Sequence, residues 1–392
     1  MKRWPLPGVR AGASRAFEKR RSFACCSAMP EIVIVGAGPA GSTCAAELAR
    51  AGREVLLVER AAFPRTKVCG EYLNAAAQRE LDRGGLADAV GHLAQPIRGI
   101  ALSAHGMKMI FDFASPAWSL PRSRFDALLL EHALGTGAKM QRGQVHDVRR
   151  SEAGFLIAFR DDSGLERILE SEFLIGADGI GSVVARKLGH ARSSQGGRFA
   201  IGGHFRGFER LDGRIEMYIG RKKYFAINPL PQEGEANVML VMDREVMRAW
   251  SDDLQAHMAR ETRTLTANTR PIDSVELLGK RVAVGPLRQR TKTVADRGAF
   301  LVGDAAGFVD PFTGQGVALA MQTGRAAAAA LSQPRAEARY RAVHRALFTE
   351  RKRVGAFVGL LVKSPFLARL AARWLQTDER LRTFLIRKVS GI

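Results

Sequence analysis

Three glycines, Gly36, Gly38 and Gly41, follow the apolar run of residues 31–35 in the pattern G-x-G-x-x-G. The first permits a tight turn. The second lets backbone approach a diphosphate, and the third lets the next helix pack close to the strand. With Ala40 inside the turn, the free N–H groups of the helix N-terminus face the phosphates. Glu59 ends the next apolar run, 18 residues beyond Gly41, where a carboxylate is needed to accept hydrogen bonds from ribose hydroxyls; Arg60 follows it. A glycine turn alone is weak evidence. Strand, turn, helix, strand and acid in register point to a dinucleotide, without deciding between NAD and FAD.

Further candidate residues stand in four short stretches. "VGDAAGFVDPFTGQG" sets Asp304 among small residues beside Gly303, with Asp310 and Pro311 before a second glycine turn at Gly314 and Gly316. "LIGADGIGSVVAR" carries Asp178 and Gly179, with Ser182 and Arg186 after them. "PRSRFDALL" holds Arg122 and Arg124, and "FPRTKVCGEYL" holds Lys67 and Cys69.

The first of these stretches resembles the second flavin motif of the p-hydroxybenzoate hydroxylase superfamily. "LIGADGIGSVVAR" is similar to that superfamily's central D-G motif. The resemblance implies FAD. It makes Asp304 the ligand of the ribityl chain, sets Asp178 near the cofactor, and points Arg122, with Arg124 as the alternative, at the diphosphate. A carboxylate suits sugar-like hydroxyls, and Gly303 clears space for a flat ring. Gly314 and Gly316 would open a helix whose dipole stabilises negative charge on a reduced flavin. Asp310 and Pro311 would shape the wall at the flavin's reactive edge.

"FPRTKVCGEYL" resembles the P-x-x-K-x-C-G segment of the geranylgeranyl reductase family, in which the cysteine lies near flavin and substrate. Cys69 is therefore a catalytic candidate, against the alternative of a small buried apolar residue. Lys67 faces anionic cofactor groups or solvent. The prenyl reductases' aromatic Y-x-W-x-F-P stretch is replaced by "YFAINPL" at residues 224–230. That reading resembles an oxidoreductase branch found beside polyketide synthases, usually described as hydroxylases. The W-x-W-x-I-P signature of flavin-dependent halogenases is absent as well, which speaks against halogenation.

These residues need elements to hold them. The expected fold is α/β: a Rossmann-like (GR2-type) FAD-binding domain, an inserted mixed-sheet substrate domain and a helical C-terminal segment. The expected boundaries are a disordered basic extension over 1–28, FAD-binding parts over 29–110 and 111–185, a sheet domain over 186–285, a closing FAD-binding segment over 286–334 and a helical region over 335–392. Residues 142–175 and 198–242 alternate in the manner of strands, and residues 121–134 carry helical spacing.

The formal net charge is +21 over 392 residues. Residues 1–28 hold seven Lys/Arg against one acid, and residues 335–392 hold fourteen against four. Basic residues are not interleaved with aromatics, so no nucleic acid is expected. In residues 351–375 apolar and basic residues alternate by face, which suits either an anionic membrane surface or the protein's own core. Cys25, Cys26, Cys44 and Cys69 show neither metal-ligand nor disulfide spacing, so reduced thiols and a cytoplasmic setting, peripheral on the inner membrane face, are expected. The start of the chain loosely resembles a twin-arginine leader, yet its apolar stretch would be the dinucleotide strand itself; a start at Met29 or a disordered extension fits better.

The eight histidines, His204 among them, have no evident partner and are expected to be structural. A second dinucleotide turn is missing, so the resemblance implies NAD(P)H as a transiently docked electron donor, with a small carrier protein as the alternative. The expected function is that of an FAD-dependent monooxygenase or hydroxylase acting on a small but bulky apolar substrate: a polyketide, a quinone or another aromatic. A flavoprotein reducing isoprenoid double bonds, as geranylgeranyl reductases do, remains open through Cys69. So does a non-turnover flavin-binding electron relay at the membrane.

Overall fold

The computed structural model describes residues 29–363 except 105, 194–196, 209–210, 249–253, 268, 271, 309–311 and 313; over 352–363 it describes the helical backbone alone. The basic extension with Cys25 and Cys26, residues 364–392 of the C-terminal segment, and Asp310 and Pro311 lie outside the described residues.

Along the chain come β1 (Ile32–Val35), α1 (Pro39–Arg50), β2 (Val55–Glu59), β3 (Tyr72–Leu73), α2 (Ala75–Arg83), α3 (Ala87–Gly91), β4 (Gln95–Ala104), β5 (Met107–Ser119) and α4 (Arg122–Gly135). There follow β6 (Lys139–Ser151), β7 (Gly154–Asp161), β8 (Glu166–Ser171), β9 (Phe173–Gly176), α5 (Val183–Lys187), β10 (Arg198–Arg206), β11 (Arg214–Gly220) and β12 (Lys223–Pro229). The remainder is β13 (Glu235–Asp243), α6 (Arg244–Arg248), α7 (Leu254–Thr266), β14 (Glu276–Leu287), β15 (Ala295–Asp296), β16 (Ala299–Leu301), α8 (Gly316–Leu331) and α9 (Ala336–Lys363).

The strands form two sheets of eight. The first runs β15-β16-β9-β1-β2-β6-β7-β8. All four residues of β1 are buried and apolar because parallel partners flank it on both sides, Ile32 facing Val55 on β2 and Phe173 on β9. Helix α1 starts with Pro39, where the missing N–H leaves nothing unsatisfied. Tyr340 of α9, fully buried, donates its hydroxyl to Leu301 O at 2.5 Å and ties the last helix to this sheet.

The second sheet runs β14-β10-β13-β12-β11-β4-β5-β3 and is mixed: β4 and β11 pair in parallel, its other pairs antiparallel. Its side chains alternate strictly by face. Phe225, Ile227, Val238, Leu240 and Met242 point to one side and are covered by Met258 and Ala259 of α7. Tyr224, Ala226, Met239 and Val241 point to the other, where Val68, Tyr72 and Phe312 close over them. That second face looks toward the loops of the first sheet.

One expected boundary is corrected. Residues 95–119, assigned to the FAD-binding part, are β4 and β5 and belong to the second sheet, with Ile100 beside Ile215 and Phe111. The chain thus enters the second sheet twice. β5 does alternate, with Met107, Met109, Phe111 and Phe113 on its less exposed face, but that period alone does not say which sheet the strand joins. Among the described residues no helix is long and apolar enough to cross a membrane.

Candidate functional site

The two glycine-rich loops meet. A Cβ on Gly36, whose φ is +102°, would stand 2.6 Å from Ala177 O, and one on Gly41 would stand 1.9 Å from Gly36 O. Both contacts are with backbone and cannot be relieved by a rotamer, so the sharp turn and the strand–helix approach require glycine here. The Asp304 loop sits directly on this turn: a Cβ on Gly303 would touch Ala40 Cβ at 3.0 Å. Gly303 N–H donates to Thr323 Oγ1 of α8 at 2.8 Å, which fixes the loop from its other side. Glu59 closes the cradle. Its two carboxylate oxygens accept from Ala37 N and Ala61 N, each at 2.8 Å. Arg60, by contrast, is exposed.

A cluster of cations lies between the loops. Arg122, 5% exposed, is held by Asp126 one helical turn later through Nε to Oδ1 at 2.6 Å and Nη2 to Oδ2 at 2.7 Å. Arg65 reaches the same Asp126 Oδ2 at 3.1 Å and leaves its own Nε buried without a partner. Burial opposes the charge on Arg122, but Asp126 and the Cys69 thiol beside it hold the guanidinium above its ordinary range. Burial pushes the Lys67 ammonium down, Arg122 adds to this, and Asp304 partly offsets it. Burial likewise pushes the Asp304 carboxyl up, against Lys67 and Arg122. Lys67 makes no hydrogen bond among the described residues. Three cations, Arg65, Lys67 and Arg122, face two carboxylates, the shared Asp126 and Asp304, which leaves one positive charge for an anion to meet. Arg124, the alternative to Arg122, is exposed.

The Cys69 segment is clamped by a polar row on the second sheet. His204, Asn237 and Asn228 stand side by side across β10, β13 and β12, on the face that is otherwise apolar. Asn237 Nδ2 donates to Cys69 O at 2.8 Å, and Asn228 Nδ2 donates to Gly70 O and to Ser119 Oγ, both at 2.8 Å. His204 Nε2 meets Glu71 Oε2 at 2.8 Å, while Glu71 Oε1 accepts Arg122 N–H at 2.9 Å. Glu71 itself is buried, with φ +54°. The expectation that His204 lacks a partner is therefore corrected. Its partner, Glu71, joins the two halves of the molecule and raises the imidazole pKa.

The remaining candidates sort as follows. Asp178 lies with its backbone against Gly36, and its carboxylate is engaged in capping α5, accepting from Ser182 Oγ at 2.5 Å and Val183 N at 2.6 Å. Gly314 abuts the Tyr72 ring, and Gly316 is the first residue of α8. Sequence reasoning missed Arg65, Asp126, Glu71, Asn228 and Asn237. Asp126 had a signal, an acid four residues after Arg122 on a helix. So had the two asparagines, single polar residues in phase with the apolar positions of their strands.

The donor set fits FAD. The bare turn at 36–41 and the Arg65–Lys67–Arg122 cluster suit its diphosphate, Glu59 a ribose and Asp304 the ribityl hydroxyls. The comparisons with known proteins agree. Residues 29–358 match the family described as an FAD binding domain. The chain is 30% identical over 334 residues to a menaquinone reductase of Mycobacterium tuberculosis, covering 76% of this chain and 75% of that one. It is 28% identical over 318 residues to a 1H-pyrrole-2-carbonyl-[peptidyl-carrier protein] brominase of Pseudoalteromonas luteoviolacea, covering 77% of each. Its fold matches the structure of a flavin-dependent brominase, Bmp2, with a TM-score of 0.79, 22% identity and coverage of 92% of this chain and 93% of the other. The chain belongs to the FAD binding domain family and is an enzyme of the FAD-dependent oxidoreductase superfamily.

Proposed function

We propose that the protein is a flavin-dependent reductase of a bulky apolar substrate of quinone or isoprenoid type, with NAD(P)H as electron donor. The observation that carries this reading is the clamped Cys69 segment. It lies between Arg122 of the cradle and the polar row of the second sheet, at the edge of an aromatic-lined apolar face. There Tyr224 and Phe312 pack edge to face at 5.3 Å, and Tyr72 lies 6.2 Å from Phe113. Bound FAD supplies two-electron hydride chemistry. The protein's own residues do the rest. Asp304, Lys67 and Arg122 hold the cofactor, the tethered 69–71 segment fixes the thiol of Cys69 beside a guanidinium, and the aromatic face excludes water and accepts the greasy part of the substrate. The resemblance of residues 63–73 to the geranylgeranyl reductase segment and the relation to a menaquinone reductase both support this reading.

A second reading, oxygen insertion into an aromatic ring, is favoured by residues 224–230, which lack the prenyl reductases' aromatic stretch. Anaerobic mixing separates the two. Under the reductase reading, the chemically reduced holo-protein regains its yellow colour when a menaquinone or a geranylgeranyl lipid is added, and the product gains two hydrogens. Recolouring that requires dioxygen, with oxygen found in the product, would overturn it in favour of the second reading.

A further inference from the structure

A cavity of about 730 Å³ opens beside residues 306–308, and none of the cradle's residues lines it. Its walls carry Arg192, Arg288, Arg290, Lys292, Arg341 and Arg345 beside the partnered Arg198 and Arg351, and among the described residues no carboxylate lines it. Arg341 donates to Ala295 O at 2.8 Å. The side chains of Arg192, Arg288, Arg290, Lys292 and Arg345 form no hydrogen bond or ion pair among the described residues.

The backbone forces these charges together. A bridge between Ala191 and Thr291 is flanked by Arg192 N–H to Arg290 O at 2.9 Å and Lys292 N–H to His190 O at 2.8 Å. It sets Arg192 opposite Arg290, and like charges directly opposite across a strand pair repel. Arg341 and Arg345, one helical turn apart on α9, are a second like-charge pair facing the same space. Val294 and Phe348, both buried, form part of the wall, while Arg192, Arg290, Lys292, Arg341 and Arg345 keep contact with solvent. Two separate elements thus present uncompensated cations to one concave space. Its volume falls within the roughly 300–1,000 Å³ typical of small-molecule sites, which favours a compact ligand over a flat partner surface.

We infer that this cavity binds a small anion carrying at least a diphosphate, in addition to the cofactor held in the cradle. The inference stands on the charge and shape of this cavity and not on the proposed reaction. Two sources share the chemistry: the diphosphate of a dinucleotide electron donor and that of an isoprenoid diphosphate.

Calorimetric titration of the full-length, FAD-loaded protein with inorganic pyrophosphate tests it. One site per chain is expected, with affinity falling steeply as salt rises. Arg192→Gln with Arg290→Gln, and separately Arg341→Gln with Arg345→Gln, each weaken binding by about tenfold or more, since each pair removes two charge-assisted contacts. The visible flavin absorbance stays unchanged in both. Two variants on different elements guard against one misfolding. Competition then names the source. Displacement by NADPH, with slower flavin reduction by NADPH in the variants, identifies the dinucleotide; displacement by farnesyl diphosphate alone identifies the isoprenoid. Absence of pyrophosphate binding, or affinity unchanged in both variants, overturns the inference. So does variant-sensitive binding to phosphatidylglycerol vesicles without any pyrophosphate binding.

Discussion

Gly324 lies in the middle of α8, twenty residues beyond Asp304 in sequence, and touches no predicted cofactor group. A Cβ there would stand 2.3 Å from Ala40 O and 3.3 Å from Cys44 N, both backbone atoms of α1. Ordinary contact begins at 3.4 Å, so Gly324→Ala forces the two helices apart by about one ångström. Such overpacking costs about 1–3 kcal/mol. The displacement also acts where the cofactor binds, because α8 carries Thr323, which holds Gly303, while α1 opens with the glycine turn. If the strain falls on the cradle, about 1.4 kcal/mol per decade converts it to a ~5- to ~150-fold loss of FAD affinity. The assay is FAD titration of the stripped protein, followed by flavin fluorescence. Gly135→Ala, at the exposed end of α4, is the control: nothing lies within 4 Å of its added Cβ, it belongs to neither loop, and FAD affinity should not change. Equal affinities in the two variants and the parent would refute the view that close helix approach holds the two loops together.

Three further outcomes follow from the same geometry. Asp304→Ala should purify colourless, since losing charge-assisted bonds to the ribityl chain costs about 2 kcal/mol or more, roughly a thirtyfold loss in FAD affinity; retention of full flavin absorbance would remove the assignment. Asn228→Leu strands the Gly70 carbonyl and Ser119 inside the sheet interface, and a drop in unfolding free energy of about 1–3 kcal/mol in urea checks this. His204 is raised above its ordinary value of 6.5 by Glu71, so its contribution is fully present below about pH 6.5 and is lost as pH rises through the folded-state value. The difference in melting temperature between the parent and His204→Gln should therefore shrink from pH 6 toward about pH 8.5; a constant difference would show that the imidazole charge contributes nothing.

The cradle was legible because its determinants are local. A turn that must be bare, a strand that must be apolar and an acid at a set distance all lie within 28 residues of Ile32. Asp304 was legible by resemblance alone; no local rule brings it to Ala40. The second sheet was half legible. β10 and β13 are buried on both faces and read as near-continuous apolar runs, but the parallel pairing of β4 with β11 joins residues more than a hundred positions apart, and nothing in either strand's own sequence names such a partner. Asp178 shows a different gap. Expected near the cofactor, it lies with its backbone against Gly36, but its carboxylate also caps α5, a second role that the Ser182 in the same stretch could have signalled.

The polar row explains why a half-buried imidazole and two buried amides are tolerated on an apolar sheet. Burying a polar group without a partner is unfavourable, and each of these has one on the 69–71 segment. The bonds are therefore conditional: they exist only while that segment lies against the sheet, and the same segment holds Arg122 through Glu71. Lifting it would at once strand three polar side chains, the Glu71 carboxylate and the Arg122 N–H. The register of substrate sheet against cofactor cradle is thus set by a few directional contacts, whereas the apolar residues around them set only proximity. Changing the apolar lining at Tyr224 or Phe312 should alter which substrate fits, while changing His204, Asn228 or Asn237 should uncouple the two halves whatever the substrate.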